Sequence, residues 1–210
     1  MAKNLRRSYY NAFSRFYDRF VSLHSADRQG AVRSYFSSLV PAEEGDCVLD
    51  ICTGTGSLLL YLRDKVGTDG LVVGIDFSRG MLEKNRQKTG RFPNIALAEA
   101  DAAFLPFPAG SFDAVTCSHA FYELKGETQE VALGEIVRIL KPGKAFLMME
   151  HDVPQKPLIR AMFYLRLASM GAKRAIAILR HEKNTLERYF SGVEKVLTPN
   201  GRSKVLICRK

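Results

Sequence analysis

The segment Val48-Leu49-Asp50-Ile51-Cys52-Thr53-Gly54-Thr55-Gly56 constrains this chain more than any other. Val48, Leu49 and Ile51 suit a central parallel strand, Gly54 and Gly56 let the backbone turn tightly, and Ser57 is placed to cap a helix running through Leu62. A strand that empties into a glycine turn and then a helix is where an α/β sheet binds a nucleotide-like ligand. A second strand, Leu71-Val72-Val73-Gly74-Ile75-Asp76, ends in a carboxylate. The spacing from Gly56 to Asp76 matches the roughly 20-residue interval at which a second-strand acid reaches a ribose diol.

Two details argue against a dinucleotide. The third glycine of the dinucleotide fingerprint falls at Leu59, too large for the close helix–strand packing that this glycine serves. Asp50, at the mouth of the first strand, would repel a pyrophosphate but can hold an ammonium group, and no GxxxxGK[ST] phosphate loop occurs. A ligand with a ribose, no phosphate and a cationic amino-acid end is S-adenosylmethionine.

Downstream segments extend the pattern: Val73-Gly74-Ile75-Asp76-Phe77-Ser78, Ala100-Asp101-Ala102, Leu105-Pro106-Phe107-Pro108-Ala109-Gly110-Ser111-Phe112-Asp113 and Glu135-Ile136-Val137-Arg138-Ile139-Leu140-Lys141-Pro142-Gly143. In this order, over roughly residues 45 to 150, the chain resembles the class I S-adenosylmethionine-dependent methyltransferases. It is most similar to the ubiquinone/menaquinone biosynthesis branch and its type 11 relatives. One departure is Cys52, where the family turn usually starts with a small residue, often glycine. The resemblance implies an α/β fold with a Rossmann-like seven-stranded sheet, an antiparallel last strand and helices on both faces. It implies a cofactor site drawn from Tyr17, Asp50, Cys52, Thr53, Gly54, Gly56, Asp76, Phe77, Asp101, Ala102 and Ser118. In it Asp101 accepts from the adenine amino group and the following amide meets a ring nitrogen, while Tyr17, within Phe16-Tyr17-Asp18, is the lid residue.

A chain of 210 residues, 46% hydrophobic and 25% charged, is ordinary for one soluble α/β domain. It divides into a helical lid (1–44), a cofactor core (45–150), a helical cap (151–190) and a final hairpin (191–210). Neither a signal-peptide pattern nor an apolar run of about 18 residues occurs, so a cytoplasmic location is expected. Cys47, Cys52, Cys117 and Cys208 lie in or beside expected strands without metal-like spacing, so buried free thiols and no metal are expected.

In the lid, Tyr9, Phe13, Phe16, Tyr17 and Phe20 form one helical face, and a second helix is expected over about Asp27 to Leu39. Further helices are expected from Ser78 to about Thr89 and from Glu127 to Leu140, the latter burying Val131, Ile136 and Leu140 and stopping at Lys141-Pro142-Gly143. Strands are expected at Ile95–Glu99, Phe112–Cys117 and Ala145–Glu150, and Pro199-Asn200-Gly201 joins a hairpin from Gly192–Leu197 to Ser203–Cys208.

The fourth strand empties into Ser118-His119-Ala120-Phe121-Tyr122-Glu123, where acceptor groups are expected. An imidazole there can take or orient a proton, which makes His119 a catalytic candidate, with Tyr122 and His151 behind it. The stacking motif of enzymes that methylate nucleobase amines is absent, so the net charge of +9 does not point to nucleic acid. Drawn as a helix, Leu158 to Arg180 gathers Arg160, Arg166, Lys173, Arg174 and Arg180 opposite Leu158, Leu165, Ala168, Ala172, Ile176 and Leu179. Such a basic amphipathic segment is either a solvated cap or a cover that touches an anionic membrane. Methyl transfer to a small or lipid-soluble acceptor is expected, a quinol ring carbon first. A phospholipid amine, and a non-catalytic cofactor-binding partner subunit, remain alternatives.

Overall fold

Alternation along the central strands builds a layered fold whose sheet is covered on both faces. Val48, Val72 and Ala114 point to one side and pack with Phe36, Leu59, Leu62 and Leu147. Their neighbours Leu49, Val73 and Val115 point to the other and pack with Leu133, Ile136, Phe146 and Leu206. Both clusters are buried, which is why the strands read as nearly continuous apolar runs. The computed structural model describes residues 10, 11, 14, 30–124, 127–152 and 183–210.

The strands are β1 (Cys47–Ile51), β2 (Leu71–Asp76), β3 (Ile95–Glu99), β4 (Phe112–Ser118), β5 (Leu140–His151), β6 (Gly192–Leu197) and β7 (Ser203–Arg209). Among them run α1 (Ala31–Leu39), α2 (Leu59–Val66), α3 (Arg79–Thr89) and α4 (Glu127–Ile139). One seven-stranded sheet results, in the order β3-β2-β1-β4-β5-β7-β6. The first five strands pair in parallel, and β7 lies antiparallel to both β5 and β6. This is the expected fold, antiparallel last strand included.

Local differences from the sequence reading have physical causes. Ser57 does not cap α2, whose N-cap is Leu58 without a side-chain bond; the Ser57 hydroxyl instead accepts from Lys88 at 3.4 Å. Ser78 does cap α3, accepting from the Met81 amide at 3.3 Å. Val131 is 46% exposed, because α4 turns Ala132, Leu133, Ile136 and Ile139 to the sheet instead. Leu140 already pairs with Phe112, so β5 begins five residues before the expected Ala145 and passes through Lys141-Pro142-Gly143 across a register shift. Two cysteines, Cys117 and Cys208, are buried, whereas Cys47 and Cys52 are half-buried. Leu158 to Arg180, Tyr17 and the aromatic face of the lid apart from its neighbours at 10, 11 and 14 lie outside the described residues.

The missing third glycine has a structural answer on the strand side. A Cβ on Gly74 would stand 2.8 Å from Leu59 Cδ1 and 3.1 Å from both Leu97 Cδ2 and Thr53 Cγ2. The close approach of helix and strand is retained, and the bare backbone that permits it belongs to β2 in place of α2. Below the sheet, Asp113 accepts from the Cys47 amide at 3.1 Å and pairs with Lys141 at 2.6 Å and Lys144 at 3.2 Å.

Candidate functional site

The chain runs from β1 outward to β2 and β3, then returns to place β4 on the opposite side of β1. The crevice above the ends of β1 and β4 is therefore the switch point at which open α/β sheets bind ligands. Among the described residues only two non-glycines have positive φ, Cys52 at 54° and His119 at 53°. Each directly follows one of the two strands that flank the crevice. Left-handed backbone is strained for L-residues, and its concentration at one crevice makes that crevice the candidate site.

The glycine turn hangs from two neighbouring elements, β2 and α3. Thr53 donates its amide to the Ile75 carbonyl at 2.9 Å, and Gly54 donates its amide to Asp76 Oδ2 at 2.9 Å. Asn85 of α3 donates to the Gly54 carbonyl at 3.4 Å, and Lys88 donates to the Thr55 hydroxyl at 3.0 Å. Gly54 and Gly56 both have positive φ, at 55° and 77°, but their surroundings differ. A Cβ on Gly54 would meet nothing within 4 Å, whereas one on Gly56 would stand 2.0 Å from Asn85 Oδ1. One glycine leaves room on the crevice side and the other leaves room for Asn85.

Asp76, at the end of β2, receives Gly54 N–H on one oxygen and Ser78 N–H on the other at 2.8 Å. The one carboxylate thereby ties the glycine turn to the residue that caps α3. Phe77 stands beside it, edge-on to Tyr10 with ring centroids 5.6 Å apart. Asn11, which the sequence reading passed over, accepts from the Ser78 hydroxyl at 2.7 Å and the Gly80 amide at 3.0 Å. It docks the N-terminal arm on the start of α3, and no local sequence signal marks a contact made across 67 residues.

Asp50 lies inside β1, buried to 1% exposure, and accepts from the Thr116 hydroxyl at 2.7 Å. Burial pushes its pKa up to about 7 against the Thr116 bond, and the nearby Asp76 carboxylate adds to the rise. Asp101 closes the turn after β3, its Oδ1 accepting from the Ala103 amide at 3.0 Å, with Ala102 buried between them. The three acids lie within, at the end of and just after the adjacent strands β1, β2 and β3.

At the end of β4 the half-buried Ser118 leads into His119, whose amide donates to the Met149 carbonyl at 2.7 Å. The His119 ring lies against His151, centroids 4.5 Å apart, and its Nδ1 is buried without a partner among the described residues. Burial pushes its imidazole down to about 3, with the neighbouring His151 and then Arg33 adding to the fall. Such a ring is neutral at physiological pH. It is a poor proton acceptor and a competent hydrogen-bonding group, so the geometry favours orientation over the general-base role. Tyr122 sits in the short turn Phe121–Glu123, whose first amides donate to Glu150 Oε1, from Phe121 at 2.9 Å and from Tyr122 at 3.4 Å. No group of three or more metal-ligating side chains occurs among the described residues.

Known proteins share this fold. The family model described as a methyltransferase domain matches residues 48–143. A demethylmenaquinone methyltransferase of Staphylococcus epidermidis is 36% identical over 149 residues, covering 71% of this chain and 61% of the relative. The chain thus spans about three fifths of the length of the curated relatives it matches. A SAM-dependent methyltransferase from Aquifex aeolicus has the same fold with a TM-score of 0.65 and 18% identity, over 91% of this chain and 97% of that one. A Haloferax volcanii methyltransferase in complex with the Trm112 activator gives 0.68 and 20%, over 95% and 96%. A family match running from β1 into β5, on this strand order, makes residues 48–143 a methyltransferase domain with the fold of the S-adenosylmethionine-dependent methyltransferases.

Proposed function

We propose that this protein transfers a methyl group from S-adenosylmethionine to a small or lipid-soluble acceptor, with a quinol ring carbon as the first candidate. The observation that carries the reading is Asp76, held by the Gly54 and Ser78 amides at the rim of the switch-point crevice. Demethylmenaquinone methyltransferase activity in the 36%-identical relative supports the choice of acceptor. When bound, the cofactor supplies an electrophilic methyl carbon on a sulfonium. Asp76 would hold its ribose hydroxyls beside Phe77, and Asp101 with the Ala102 amide would receive the adenine. The turn Cys52-Thr53-Gly54, with Gly56 behind it and Ser118 opposite, would line the methionine portion, Asp50 facing its ammonium group. Tyr17 and the 1–44 lid would close over the crevice and 151–190 would cap the acceptor. Transfer to a carbon demands alignment and exclusion of water first, and His119, Tyr122 and His151 stand where the acceptor would be oriented.

Incubating the purified protein with S-adenosylmethionine and demethylmenaquinol should give a product heavier by one methyl group. Phosphatidylethanolamine should give none. Methylation of the phospholipid alone would move the acceptor to an amine, and cofactor binding without turnover on either would favour a non-catalytic subunit.

His119→Ala should lower turnover by about tenfold, the worth of one neutral hydrogen bond near 1.4 kcal/mol, with cofactor affinity unchanged. Steady-state kinetics checks this, and full activity would return the ring to a structural role.

The raised pKa of Asp50 gives a second expectation. In the free protein this carboxyl is largely protonated below about pH 7, so its ionisation costs the fold stability as pH rises from the ordinary carboxylate range to that value. An ammonium group beside it favours the ionised form, so cofactor binding releases a proton there. Affinity should fall by up to about tenfold per pH unit below that value and level off above it. Calorimetry in buffers of different protonation heat should show the release in the native protein and none in Asp50→Asn. Equal proton release in both would place the amine elsewhere.

The cations of Leu158 to Arg180 support peripheral contact with an anionic membrane, and no described helix is long and apolar enough to cross one. The protein should co-sediment with anionic vesicles and detach as salt rises, since each basic residue contributes about 1 kcal/mol at the surface. Arg166, Lys173 and Arg174 replaced together by glutamine should abolish sedimentation. Sedimentation equal to the native protein would remove the membrane from the reading.

A further inference from the structure

Two thiols meet at the edge of the crevice. Ile51 and Cys117 are in register on the parallel neighbours β1 and β4, and Cys52 is the next residue after Ile51. Strands about 4.8 Å apart with a rise of about 3.3 Å per residue put the Cys52 and Cys117 Cα atoms about 6 Å apart, inside the range a disulfide spans. Cys52 is the neighbour that acts most strongly on the Cys117 thiol. Cys117 is fully buried, Cys52 half-buried. The remaining thiols stand elsewhere: Cys47 begins β1 four residues before Ile51, and Cys208 on β7 faces Phe146 across β5.

Cys52 also carries the turn's first left-handed φ, where an L-residue costs roughly 1–2 kcal/mol. A reactive side chain thus stands at a strained backbone position, two residues before the amide that Gly54 gives to Asp76.

We propose that Cys52 and Cys117 are a reversible oxidation site, forming a disulfide that disables the cofactor turn. Hydrogen peroxide is the class of oxidant: the Cys52 thiol takes one peroxide oxygen to become a sulfenic acid, releasing water. The Cys117 sulfur then attacks the Cys52 sulfur, losing its proton as the sulfenic hydroxyl leaves as a second water. Two thiols are oxidised to one disulfide and one peroxide is reduced to two waters. Burial and the Cys52 contact hold the Cys117 thiol well above the ordinary range, which keeps it protonated and assigns the first attack to Cys52. A sulfur–sulfur bond of about 2.05 Å is far shorter than any non-bonded contact between two thiols, and Cys117 sits in a packed central strand. The adjustment falls on Cys52 and the turn, displacing the Gly54 amide from Asp76.

The site itself stands on the strand register of β1 and β4; its consequence rests on the proposed cofactor reading. Treating the full chain with hydrogen peroxide should remove two hydrogen masses, and peptide mapping should find Cys52 joined to Cys117. Affinity for S-adenosylhomocysteine should drop at least tenfold and return with dithiothreitol. Cys117→Ala should show neither the link nor the peroxide-dependent drop. Both thiols left free, Cys52 oxidised without a partner, or a link through Cys47 or Cys208 would overturn the site, and a link with unchanged affinity would overturn its effect. Failure of the untreated, reduced protein to bind S-adenosylhomocysteine would count against the cofactor reading, while the mapped link would still stand.

Discussion

Asp76→Ala should weaken S-adenosylmethionine binding by about 1.5–3 kcal/mol, roughly tenfold to a hundredfold in Kd, the usual range for hydrogen bonds to a charged group. The same carboxylate anchors two backbone amides, Gly54 at 2.9 Å and Ser78 at 2.8 Å, so its removal also strands donors at the glycine turn. A lower melting temperature should accompany the lost affinity. Asp76→Asn separates the two effects, because its carbonyl keeps one acceptor while its amide group faces donors that cannot pair with it. Titration calorimetry on the folded variants decides the matter. Unchanged affinity in Asp76→Ala would remove this residue from the site and with it the ribose assignment.

Gly56→Ala should destabilise the protein by about 3 kcal/mol or more, combining the cost of a left-handed L-residue with overpacking against a buried partner. A Cβ there would lie 2.0 Å from Asn85 Oδ1 and 2.3 Å from its Cγ, and Asn85 is fully buried on α3 with no open side to move toward. Gly54→Ala provides the contrast. It too has positive φ, yet its Cβ would enter open space, so the folding cost should be near 1 kcal/mol and the larger loss should appear in cofactor affinity. Urea unfolding and cofactor titration on both variants read the difference, and equal stability losses would refute the division of labour between the two glycines.

The strongly patterned parts of the fold were legible in the chain. β2 and β3 run over the expected residues, Ser78 caps α3 where a capping residue was expected, and the hairpin closes around Asn200-Gly201. Each rests on short-range chemistry: alternation, a side-chain oxygen three residues before an amide, a turn that tolerates positive φ. The errors fell where a distant partner decides. Ser57 has the composition of a cap, but the Lys88 ammonium, 31 residues on, takes its hydroxyl. Val131 has the composition of a core residue, but the rotation of α4 was set by Leu133 and Ile136 packing on the sheet.

The site divides along the same line. Sequence alone determined which residues lie at or near the strand ends, Asp50, Asp76, Asp101 and His119 among them, because strand periodicity and glycine punctuation are local and carry their own register. Only the tertiary structure decided what those groups can do. Burial beside Thr116 brings Asp50 to the edge of ionisation, and burial against His151 leaves His119 a neutral, weakly basic ring. Strand pairing brought Cys52 against Cys117 and Asn85 beneath Gly56. Desolvation and contact at van der Waals distance depend on every element that folds around a group, and no window along the chain contains them.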